Sequence, residues 1–70
     1  MTSTLSELTC LQLHRPGASA APAAWAAWFD ELAHVHEHLA AESRDPCVTA
    51  TERRLARTAH LRAALLRKES

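Results

Sequence analysis

From Pro22 to Ser43 the chain runs without an internal Pro or Gly, and its large apolar residues, Trp25, Trp28, Leu32, Val35 and Leu39, step by three and four. That spacing returns to one side of an α-helix at every turn, so it predicts an amphipathic helix over 22–43. Phe29 and His36 flank the stripe, and Pro22 suits a first helical turn, where its missing N–H is not needed. The strict heptad phase stops at Glu42, too soon for a long coiled coil. A helix of a small bundle is the better reading.

Asp45-Pro46 interrupts this pattern, because proline disfavours helical backbone in the residue before it. Thr49 and Glu52 have the spacing of a capping box, which predicts a second helix over 50–68. Its buried stripe is expected to hold Leu55, Ala59, Leu65 and Leu66, with Thr58 and Arg62 on the same side. Thr4 and Glu7 form a similar box ahead of Leu5, Leu8 and Leu11. A strand over Thr9–Leu13 is the rival there, and helix is preferred because no second strand exists to pair with it. Arg15-Pro16-Gly17 ends this segment, and residues 16–21 read as a linker.

The fold class expected is therefore all-α. An antiparallel helical hairpin, 22–43 and 50–68, carries a short N-terminal helical or extended segment, and residues 1–70 make one small domain. Ile and Tyr are absent and only two Val occur, so strand formers are scarce. Of the 47% apolar residues, 15 are Ala, which bury little area each. The expected core is Leu, Val, Trp and Phe. At 70 residues such a core only marginally outweighs chain entropy. Completion by oligomerisation or by docking on a partner is expected.

The formal charge is zero, but residues 1–45 carry six acids against Arg15 and Arg44, and residues 46–70 carry six bases against Glu52 and Glu69. This dipole suits two helices that attract each other, or a basic segment aimed at nucleic acid. The longest uncharged run, Pro16–Phe29, is too short and too broken to span a bilayer, and the N-terminus lacks signal-peptide character. A cytoplasmic protein is expected. Cys10 and Cys47 have no C-x-x-C spacing and fit reduced thiols.

Residues 34–38 read HVHEH. On a helix His34 and His38 share a face, with Asp30, Glu31 or Glu42 close enough to add an oxygen ligand, while His36 turns toward the apolar stripe. A metal site would need further ligands from His60, His14, Cys10 or Cys47, or from a second subunit. Trp25, Trp28 and Phe29 are all the aromatics of the chain; with Leu32, Val35, Leu39 and Arg62 they are the expected interface. Arg62 falls inside the apolar stripe, so it lays its stem along the core or meets a carboxylate of the first long helix or of a partner. Arg53 and Arg57 face outward and could contact phosphates, yet the preceding turn lacks helix-turn-helix spacing.

No glycine-rich loop or activated nucleophile is present, so no enzyme is expected. The expected function is a small helical interaction or regulatory subunit, self-associating as a homodimer or docking on a larger protein. The alternatives are a protein binding zinc or another divalent metal through His34 and His38, and a nucleic-acid module using Arg53 and Arg57.

Overall fold

The computed structural model describes residues 3–69, and over them the chain forms three helices: α1 (Thr4–Leu13), α2 (Pro22–Glu42) and α3 (Pro46–Glu69). No strand occurs among the described residues, and α1 is a helix where a strand was the rival reading. No described helix is long and apolar enough to cross a membrane.

Two caps differ from the expected ones. Ser3, and not Thr4, caps α1, its side chain accepting the Ser6 amide at 3.1 Å. Thr4 is buried inside the helix, and its hydroxyl donates to the Glu42 carboxylate at the far end of α2. The last helix opens at Pro46, four residues before the expected 50. Asp45 supplies the cap: its carboxylate accepts the Cys47 amide at 2.8 Å and its carbonyl the Thr49 amide at 3.0 Å. Pro46 in the sequence is thus a helix start and not only a breaker. Thr49 and Glu52 do not form a box. The Thr49 hydroxyl donates to the Ala40 carbonyl, and Glu52 reaches His36.

The hairpin of α2 and α3 is held by alanine. Ala26, Ala33 and Ala40 recur at seven-residue intervals on α2, facing Ala56, Ala59 and Ala63 on α3, and all six are between 0 and 6 % exposed. Side chains this small let two helix backbones approach closely, because interaxial distance follows the side chains at the contact. Here the expected α3 stripe is corrected. Ala59 is buried, but Leu55 and Leu65 remain 42 % and 52 % exposed. The alanines discounted as weak core formers are the seam.

The aromatic stripe serves a different contact. Trp28 and Val35 are buried against Leu11, with Leu8, Trp25, Phe29, Leu32 and Leu39 around them, so this face of α2 receives α1. The Trp28 indole N–H donates to the Leu11 carbonyl at 2.9 Å, a second bond to a helix-end carbonyl that also accepts the His14 amide at 3.2 Å. The Arg15 guanidinium lies 5.4 and 5.6 Å from the Trp25 and Trp28 rings and closes this corner. Phe29 and Leu32 touch both clusters and join them. α1 contacts α2 and not α3, so α2 is the middle of an open arrangement.

Candidate functional site

Because α1 and α3 lie on different sides of α2 without meeting, two clefts flank the central helix. The first is apolar. It measures about 400 Å³ and is lined by Trp25 and Phe29 of α2 and by Arg62, Leu65, Leu66 and Glu69 of α3. Trp25 and Phe29 are half-buried, their ring centroids 6.1 Å apart, and both contact the buried Trp28 edge to face at 5.9 and 5.3 Å. This network fixes the aromatic floor. Leu65, beside it, is more than half exposed.

Arg62 takes neither a free nor an ion-paired position. Its guanidinium lies over Phe29, 5.8 Å from the ring centroid, a cation–π contact on the rim of the cleft. Among the described residues no carboxylate pairs with it, so the ion pair with α2 considered from sequence is not formed there. Of the other interface residues expected from sequence, Val35 and Trp28 are covered by α1, and Leu32 and Leu39 lie partly covered beside them. The part of that stripe left open is therefore the end carrying Trp25, Phe29 and Arg62.

The second cleft lies between α1 and α2, measures about 390 Å³ and is polar at its rim. Glu7, Cys10 and His14 of α1 face Glu31, His34 and His38 of α2 across it, with Leu11 and Val35 at its floor. His38 Nδ1 stands 3.6 Å from Glu7 Oε2, and His34 Nδ1 3.7 Å from Glu37 Oε2. No three of the described His, Cys, Asp and Glu side chains are grouped so that they could hold a metal ion. His34 and His38 do share the outer face expected for them, and both are more than half exposed. The signal missed in the sequence is a repeat: Glu-x-x-Cys-x-x-x-His at 7–14 has the spacing of Glu-x-x-His-x-x-x-His at 31–38.

The remaining polar groups tie α2 to α3. His36 is half-buried, with Nδ1 2.6 Å from Glu52, so its lean toward the core ends on a carboxylate of α3. His60 lies between two carboxylates of α2, Nε2 2.8 Å from Glu37 and Nδ1 3.3 Å from Asp30. The hydrogen bond to Glu37 chiefly raises its pKa above the ordinary 6.5, Asp30 adding to it and burial opposing. Asp30 also binds Arg67, whose guanidinium hydrogen bond is the main cause that holds this carboxyl below its usual 3.8. Glu37 is lowered from 4.5, first by its hydrogen bond to His60. Acidic α2 and basic α3 therefore meet as the charge dipole of the chain suggested. Arg67 is drawn into this contact, while Arg53 and Arg57 remain exposed on α3.

No protein-family model matches this chain, and comparison with curated proteins and with solved structures found no match.

Proposed function

We propose that this protein is a small non-catalytic interaction subunit that pairs with a second copy of itself through the apolar cleft of α2 and α3. One observation carries the reading. Arg62 and Glu69 sit seven residues apart on the same side of α3, at opposite ends of the patch formed by Leu65 and Leu66, and all four line the cleft with Trp25 and Phe29. A surface with a cation at one end, an anion at the other and apolar groups between is complementary to itself under a two-fold rotation. Two α3 helices crossing antiparallel at Leu65 and Leu66 bring each Arg62 to the other copy's Glu69. Leu65 then covers the aromatic floor of the facing copy.

The area required is modest. An interface that clears about 1,000 Å² in total takes about 500 Å² from each copy. That is roughly a tenth of the 5063 Å² that the chain exposes. A larger helical protein presenting a carboxylate and apolar groups in the same geometry would be an accessory-subunit version of the same contact.

Charge reversal tests the pairing. In sedimentation equilibrium, Arg62→Glu and Glu69→Arg should each weaken self-association, by about tenfold or more where like charges face each other across a desolvated contact. The double variant, with the charges exchanged, should recover most of it. Two single variants that associate as the parent protein does would contradict this pairing.

A further inference from the structure

The basic outer side of α3 has a use of its own, separate from the apolar cleft. We infer that Arg53, Arg54 and Arg57 form a contact surface for the phosphate backbone of double-stranded DNA. None of the three lines the cleft, so the inference does not rest on self-pairing.

The formal charge of zero conceals how the charges are used. Six of the eight carboxylates are held by groups of the chain: Glu7, Glu37 and Glu52 by histidines, Asp30 by His60 and Arg67, Glu42 by the Thr4 hydroxyl and Asp45 by the Cys47 amide. Imidazoles and neutral donors thus take up most of the acids without engaging the arginines. Among the described residues Arg67 alone of the eight cationic side chains meets a carboxylate, while Arg15 and Arg62 lie over aromatic rings. Arg53, Arg54 and Arg57 are exposed and pair with none.

Local geometry concentrates this charge. Ala56 turns inward to the seam with α2 and is 3 % exposed, so the arginines on either side of it take the outward directions of the same turn. Glu52, the one acid of α3 before its last residue, faces His36 with its side chain 19 % exposed. The outer side of this turn is therefore uncompensated positive charge. From Arg53 to Arg57 the helix advances about 6 Å, and over that length a DNA duplex carries about three to four phosphate charges. Three arginines match that density, and their guanidinium forks pair with phosphate oxygens two bonds at a time.

Two other polyanions fit less well. Single strands are held by stacking on aromatic side chains, and Trp25, Trp28 and Phe29, all the aromatics of the chain, stand on α2. A lipid surface takes up a basic helix by its apolar side, whereas the inward side of α3 is the alanine seam packed on α2. A duplex backbone needs exposed, unpaired cations and neither of those features.

The test is fluorescence anisotropy of a short labelled DNA duplex, titrated with the full chain at several salt concentrations. Release of counterions from three phosphates gives a slope of log K against log salt of about −2.7, so binding should weaken about fortyfold between about 50 and 200 mM. Arg53→Gln, Arg54→Gln and Arg57→Gln should each weaken binding and bring the slope nearer zero by about one. Lys68→Gln, about 16 Å further along α3 than Arg57, should leave it unchanged. Since all four side chains are exposed, circular dichroism of the variants should match the parent, which separates lost contact from lost folding. Absence of saturable binding at low salt would overturn the inference. So would an equal effect of Lys68→Gln and of the arginine variants, which would mark attraction to the charge of the whole molecule and not to this turn. Stronger binding to phosphatidylserine vesicles than to the duplex would overturn the choice of DNA.

Discussion

At the scale of single residues, His60 is the side chain with the most to say about solution behaviour. Both its ring nitrogens face carboxylates of α2, an arrangement that suits the imidazolium with two donors. Because its folded pKa is raised above 6.5, the stability it lends is complete below that value and is lost as pH rises through the folded one. Asp30 and Glu37, lowered from 3.8 and 4.5, act oppositely: their contribution is present above those values and fades as pH falls below them. The cluster therefore contributes most between 4.5 and 6.5. Thermal unfolding followed by circular dichroism should show a melting temperature that declines from about pH 6 to about pH 8, and a shallower decline in His60→Gln. Equal slopes in the two proteins would show that His60 does not couple α2 to α3. Trp28 is the second informative residue. Trp28→Phe keeps most of the apolar contact but removes the indole hydrogen bond to the Leu11 carbonyl, which keeps the His14 amide at 3.2 Å, so chemical denaturation should show a loss of about 0.5–1.5 kcal/mol. That pairing was not readable in the sequence, since an indole donor does not name a carbonyl seventeen residues away.

Among the elements, α2 was the legible one. Large side chains at three- and four-residue steps leave few alternatives, and the helix runs from Pro22 to within one residue of the expected end. α3 was legible as a helix but not in its facing. Leucines were given weight over alanines, whereas close approach of two backbones selects the smallest side chains, and Leu55 and Leu65 are left at the surface as a result. The seven-residue recurrence of Ala26, Ala33 and Ala40 was the signal that could have corrected this. Ala33→Leu should therefore be destabilising, by about 1–3 kcal/mol in denaturant titration, despite adding apolar area. An increase in stability would mean that the seam is not close-packed. The start of α3 makes a smaller prediction. Asp45→Ala should cost about 1 kcal/mol, and Thr49→Ala less, reversing the order that the capping-box reading implied.

Taken whole, the molecule is a shallow slab, 38 × 24 × 16 Å along its principal axes, in which α1 and α3 share only α2 as a neighbour. A domain usually closes its core between two packed layers, and a row of three helices leaves that closure unfinished. The exposed area bears this out in magnitude: a compact monomer of this mass is expected to show about 4,300 Å², against the 5063 Å² found. That a core this small leaves apolar surface open could be read from length and composition, but not where the opening lies, because that depends on which end of the aromatic stripe α1 covers. It covers Trp28 and Val35 and leaves the cleft of Trp25, Phe29, Arg62 and Leu65 uncovered. The molar mass in solution speaks to this most directly. Light scattering coupled to size exclusion, run over a range of loading concentrations, should give a mass rising from 7.7 kDa toward twice that value and no further. A mass fixed at 7.7 kDa at every concentration, in a protein that circular dichroism shows to be helical, would contradict pairing through this cleft.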